Sequence, residues 1–162
     1  MRPEKPVLLG SLVAVAVFGA DQYLKGWAHA WVGAHGDLRP VHGLNIIATS
    51  NTGVAFSVAQ GVAPGLLIAI GIALAGLFAA WLWRSRSPIH AAGLGLAIGG
   101  ALGNVVDRLR FGSVRDFIDV YWSDHHWPAF NLADAAVVIG LALLILFPSD
   151  HAKAMRPDGP SR

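Results

Sequence analysis

Four stretches of the chain are apolar over a length that suits a membrane crossing: Val7 to Ala28, Ala63 to Trp83, Ile89 to Arg108 and Ala129 to Phe147. A helix needs about 20 mostly apolar residues to cross the hydrocarbon layer. Only the second stretch carries no charged residue. The first follows a basic start, MRPEK, as a secretory signal would, but Phe18 stands at the third position before a cut after Ala20 and disfavours cleavage. An uncleaved helix is expected there. Between the first two stretches, GLNIIATSNTGVAFS combines a β-branched run with an SNTG turn and predicts short strands at the membrane surface. Their amphipathic character suits a platform for pairing with an extended peptide. After the third stretch, Gly112 is a helix stop. SVRDFIDVYW then alternates like a strand, with Val114, Asp116, Ile118 and Val120 on one face and Arg115 and Asp119 on the other.

The pattern predicts an all-α membrane protein with four transmembrane helices and a small extracytoplasmic β element. Residues 1 to 147 form a single domain, and the polar segment 148 to 162 is expected to be a disordered cytoplasmic tail. Composition agrees with a membrane class, at 54% hydrophobic and 14% charged residues. The chain has no cysteine, so disulfides, thiolate metal sites and a cysteine nucleophile are excluded.

Charge placement orients the helices. Arg2 and Lys5 precede the first stretch, Arg84 and Arg86 join the second and third, and Lys153, Arg156 and Arg162 follow the fourth. Positive residues favour the cytoplasmic side, so both termini are expected inside. The loop from His29 to Val62 holds only Arg39, whereas Arg110 and Arg115 lie among three aspartates in the other outer loop. With that orientation every polar intrusion falls at one membrane face. Asp21 and Lys25 are spaced i,i+4; Asn104, Asp107 and Arg108 are spaced i,i+3,i+4; Asn131 and Asp134 are spaced i,i+3. Each set lies on one side of its helix and can turn toward a shared pocket. Ala91, Gly95, Gly99 and Gly103 form a ridge of small residues that makes the third helix the central packing element.

An aspartate within an apolar segment is expensive, at roughly 2.5 to 3.5 kcal/mol on insertion scales, and by default points to function. Plainer roles compete. Asp21 and Lys25 read as an interfacial ion pair, and Asp107 with Arg108 as a self-neutralising structural pair, although Arg108 could also contact substrate. Asn131 can cap a helix with Asp134 at its third position, where the helix dipole favours a negative charge. That explains the fourth stretch alone. It leaves Asp116, an acid on an apolar strand face where desolvation raises its pKa, without a role, so the two acids together favour chemistry. The seven histidines show no metal-ligand spacing, no glycine-rich phosphate loop follows a strand, and nothing suggests nucleic acid. No metal or other cofactor is expected. The six tryptophans suit interfacial anchors.

The ordered set DQYLK at 21 to 25, NTGVAFS at 51 to 57, GNVVDR at 103 to 108, VRDFIDV at 114 to 120 and FNLAD at 130 to 134 resembles the lipoprotein signal peptidases. These are type II signal peptidases, aspartyl peptidases of the bacterial membrane. Val54 departs from that family's usual alanine. The resemblance implies that Asp116 and Asp134 are the catalytic pair and that Asn51, Asn104, Arg108 and Asn131 hold substrate or order the acids. It also implies that Asp21 and Lys25 are structural and that Asp107 is not a catalytic acid. The substrates implied are diacylglyceryl-modified prolipoproteins, cut just before the lipidated cysteine, with membrane lipid as the surrounding partner. A monomer in the inner membrane with its site near the outer face is expected. The rival from another class is a small proton-coupled carrier with acids that relay protons, which the lack of an evident inverted repeat disfavours.

Overall fold

The computed structural model describes residues 4–53 and 63–147. Val54 to Ser57 and the tail 148–162, about which the sequence raises expectations, lie outside the described residues. Among the described residues there are four helices: α1 (Glu4–His35), α2 (Pro64–Arg84), α3 (Pro88–Phe111) and α4 (Leu132–Leu146). The first three are long and apolar enough to cross a membrane, whereas α4 has 15 residues and falls short of that length. At 1.5 Å per residue α4 is only about 22 Å long.

Local sequence explains the helix limits. α1 runs past the expected Ala28 because no proline intervenes before Gly36, whose φ is 79°. Its 32 residues extend beyond the apolar stretch. Pro64 and Pro88 open α2 and α3, where a missing N–H costs nothing. Gly112 closes α3 in the left-handed region at φ 73°, its N–H bonded to the Arg108 carbonyl, as the sequence predicts.

α3 is the centre of the bundle and the most buried of the long helices. Its predicted ridge faces α1: a Cβ on Gly99 would stand 2.5 Å from the Ala14 carbonyl, and one on Gly103 would stand 2.7 Å from Asp21 Oδ2. A second small-residue line, Gly93, Ala97 and Gly100, packs on α4 against Gly140, Ala133 and Val137. α3 therefore approaches two helices closely on opposite faces. The apolar side chains Leu12 and Val15 on α1, Leu66 and Leu77 on α2, and Val138 and Ile145 on α4 remain exposed. Such outward surface suits a lipid surrounding.

The β element is one antiparallel sheet in the order β1 (Leu38–Val41), β2 (Leu44–Asn51), β3 (Val114–Trp122) and β4 (His125–His126). β2 and β3 pair with Leu44 opposite Val120, Thr49 opposite Asp116 and Asn51 opposite Val114, with a register shift between Ile46 and Thr49. That irregularity accompanies a departure from the predicted alternation. Val114 and Asp116 are buried, but so are Phe117 and Asp119, while Val120 is exposed. β3 is thus covered on both faces near its start and emerges toward its end. Phe117 and Ile118 donate to the Phe130 carbonyl at 3.1 and 2.9 Å, and Phe130 returns a bond to Ile118. This short ladder ties the lead-in of α4 to β3 and sets Asn131 beside Asp116.

Candidate active site

Asn131 joins the two acids singled out by the sequence. It is fully buried and caps α4, its Oδ1 accepting from the Asp134 N–H at 3.0 Å while Asp134 Oδ2 accepts from the Asn131 N–H at 3.3 Å. Its remaining amide group, Nδ2, donates to Asp116 Oδ1 at 2.6 Å. The capping reading and the chemical reading are therefore one arrangement. A residue that ends a helix also spaces one carboxyl from the other.

Each acid has further partners. Asn104 Nδ2 donates to Asp134 Oδ1 at 2.8 Å, and Lys25 Nζ donates to Asn104 Oδ1 at 3.0 Å. The lysine thereby fixes which end of the Asn104 amide faces Asp134. Asn51, paired with Val114 two residues before Asp116, hydrogen-bonds Asp116 through its side chain, and also accepts from the Gly53 N–H at 2.9 Å. Burial pushes Asp116 up to about 6; the Asn131 hydrogen bond pulls it down and the nearby Asp134 charge pushes it further up. Arg108 reaches the Gly53 carbonyl at 2.7 Å.

Beneath the acids lies a network larger than the sequence suggests. Asp21 and Lys25 are fully buried, and Asp21 binds Lys25 Nζ at 2.8 Å and the Ala133 N–H at 2.9 Å. The pair is no lone interfacial bridge, because Lys25 also meets Asp107 at 3.5 Å. Asp107 is not neutralised by Arg108, its sequence neighbour. It pairs with Arg115, which donates from its backbone N–H at 2.9 Å and from Nη2 at 2.8 Å. Adjacent positions on a helix point about 100° apart, so Arg108 and Asp107 face different surroundings.

Gln22 completes this layer, donating to Asp107 Oδ1 at 3.1 Å and to the Gly103 carbonyl at 3.2 Å. His29 Nε2 lies 3.3 Å from the Asp116 carbonyl oxygen. Sequence reasoning missed Gln22, His29 and the pairing role of Arg115. Helical spacing puts Gln22 off the Asp21–Lys25 side, and only the crossing of α1 over α3 brings it into contact.

The charges have a simple consequence. Asp21, Asp107, Asp116 and Asp134 face the cations Lys25, Arg108 and Arg115. One proton on the acids makes the cluster neutral, as burial demands. Asp119 belongs elsewhere: burial pushes its carboxyl up, but hydrogen bonds from Asn45 and His126 and the nearby His126 together hold it below the usual range. Asp134, Asn104 and Arg108 line a groove of about 720 Å³ whose other walls are the apolar Leu67, Ile70 and Phe78 of α2 and Val138 of α4. Asp134 thus sits at the polar end of an apolar groove, and Asp116 is tied to it through Asn131.

The signal peptidase (SPase) II family model matches residues 13–148. A lipoprotein signal peptidase of Xylella fastidiosa (strain 9a5c) is 39% identical over 166 residues, covering 93% of this chain and 96% of that protein. One from Syntrophotalea carbinolica is 37% identical over 142 residues, covering 83% and 87%. The solved structure described as a bacterial membrane enzyme at 2.3 Å superposes with a TM-score of 0.76 at 25% identity, covering 94% of both chains. A second bacterial membrane enzyme, at 1.9 Å, gives a TM-score of 0.70 at 28% identity, covering 87% of this chain and 93% of the other. The chain belongs to the signal peptidase II family.

Proposed function

We propose that this aspartic endopeptidase of the bacterial inner membrane works through Asp116 and Asp134 and removes signal peptides from diacylglyceryl-modified prolipoproteins, cutting before the lipidated cysteine. The carrying observation is Asn131, which bonds both acids, one of which, Asp134, lines the end of an apolar groove. Two carboxyls held this close in a buried site share one proton. In this reading Asp134 is the base: it sits in the first turn of α4 and accepts two N–H bonds, from Asn104 and Asn131. Asp116 keeps the proton.

A water between them gives a proton to Asp134 as its oxygen attacks the scissile carbonyl carbon. Asp116 hydrogen-bonds the carbonyl oxygen as it gains charge. The C–N bond then breaks, and the leaving nitrogen takes the proton held by Asp134. Asn51 and Asn131 order Asp116, and Asn104 orders Asp134. Arg108, with two N–H groups on the Asn104 and Gly53 carbonyls, holds the loop at the groove's polar end where substrate backbone would lie.

In this reading α4, flanked by Phe130 and Phe147, makes the fourth crossing, with both termini cytoplasmic and the acids near the outer face. The chain acts as a monomer in lipid and needs no metal. The test is cleavage of a lipidated and an unlipidated prolipoprotein by purified protein, with Asp116→Asn and Asp134→Asn in parallel. Loss of cleavage in both variants, with the protein still inserted, is expected. Near-normal turnover by either one removes that residue from the mechanism.

A further inference from the structure

The hairpin of β3 and β4 holds a buried acid that the proposed chemistry does not use. The chain turns at Ser123, whose φ is 53°, so that Trp122 pairs with His125 and Tyr121 with His126. His126 Nδ1 meets the two oxygens of Asp119 at 2.8 and 3.0 Å, and Asn45 Nδ2 donates to Asp119 Oδ2 at 2.8 Å. The Tyr121 ring stacks on the imidazole at 5.3 Å. Three contacts therefore fix His126, although half of its side chain is open to solvent.

The residue held in place by this anchoring is the next one. The Trp127 N–H donates to the Val120 carbonyl at 2.7 Å, and its side chain lines the same groove as Asp134, Asn104 and Arg108. An indole offers an apolar face and one N–H donor, a combination suited to the boundary between hydrocarbon and headgroup. We propose that Trp127 is a specificity residue that contacts the glyceryl-ester region of the lipidated substrate, and that the Asp119–His126 pair is the device that positions it. This rests on the reading that the groove holds substrate and that Asp116 and Asp134 cut it.

The ring would lie along the apolar stem of the lipid at the headgroup boundary. Asp119 and His126 touch no substrate. They act only through Trp127, so their effects cannot add to its loss.

The experiment measures KM and kcat for a lipidated prolipoprotein in one fixed detergent, using the full chain. Trp127→Ala should raise KM about 3- to 10-fold, the worth of one aromatic contact, with kcat within about 2-fold of the parent. His126→Ala should raise KM in the same sense. His126→Asn, whose amide N–H stands near the position of Nδ1, should restore it. The double variant Trp127→Ala, His126→Ala should match Trp127→Ala alone. If alanine at 127 prevents folding, Trp127→Phe carries the test, with a smaller rise in KM from the smaller ring. An unchanged KM in the folded Trp127 variant, or losses that multiply in the double variant, overturns the proposal while inactive Asp116→Asn leaves the catalytic reading intact. Cleavage by Asp116→Asn overturns the catalytic reading and this proposal with it.

Discussion

Asn131 holds Asp116 at 2.6 Å through the same amide group whose oxygen caps the helix carrying Asp134. One side chain therefore sets both the start of α4 and the relation between the acids. Asn131→Ala removes a cap worth about 1 kcal/mol and also the donor to Asp116. Asn131→Asp keeps the capping oxygen but puts a third carboxyl against the pair. Both variants should lose at least about 10²-fold in kcat, the scale of one lost catalytic hydrogen bond. Only the alanine form should lose its cap. Kinetics and thermal unfolding in the same detergent separate the effects; equal activity for Asn131→Asp and the parent would contradict the arrangement.

Asp116, raised to about 6 by burial, holds its proton more tightly in the folded protein than in the unfolded chain, where the value is 3.8. Its charged form is the one that folding disfavours. Stability should accordingly fall as pH rises from 3.8 through about 6, and Asp116→Asn should remove this loss. Removing the Asp134 charge takes away one cause of the elevation, so Asp134→Asn should move the Asp116 titration to lower pH. Infrared detection of the protonated carboxyl band tracks this directly. A titration in Asp134→Asn at or above the parent value would show that the acids do not interact.

The fold was legible where chemistry is local. Gly112 ends α3 and Asn131 opens α4, as their residue types dictate, and the small-residue ridge from Ala91 to Gly103 packs as predicted. The two candidate acids could be singled out because each interrupts an apolar pattern. Partner choice was not. Asp107 pairs with Arg115, eight residues away across the Gly112 turn, and with Lys25 on another helix, whereas the sequence offers Arg108 first. Alternation in β3 likewise fails beyond Asp116, because the register shift against β2 and the bond to Phe130 bury both faces. Such outcomes depend on which helices cross and at what height, and periodicity alone carries no record of that.

Lys25 is buried with Asp21 at 2.8 Å, Asp107 at 3.5 Å and the Asn104 amide at 3.0 Å. Lys25→Met leaves acids buried without their shared cation, a loss on the order of 3–5 kcal/mol. It also frees Asn104 to turn its oxygen toward Asp134, so activity should drop even in the fraction that folds. Adding Asp21→Asn removes one uncompensated charge and should recover part of the stability but not the activity. Melting temperature and kcat, measured on both variants in one detergent, make the comparison. Full stability in Lys25→Met would mean that the network contributes nothing to the fold.

Orientation in the membrane can be tested with thiols, because the chain contains no cysteine of its own. Arg86 lies between α2 and α3 beside Arg84, at the end of the bundle opposite the acids. Asp37 lies between α1 and β1, at the end that carries the sheet. Positive residues stay on the cytoplasmic side because anionic lipid and the insertion machinery retain them there, so Arg86 is expected inside and Asp37 outside. A single Asp37→Cys should react with a membrane-impermeant thiol reagent in intact cells, and Arg86→Cys should react only after the membrane is opened. On the proposed function, a signal peptide enters from the cytoplasm and presents its cleavage point at the outer face, so acids on the sheet side can reach it only in this orientation. Labelling of position 86 and not of position 37 in intact cells would invert the topology and place Asp116 on the wrong side for its substrate.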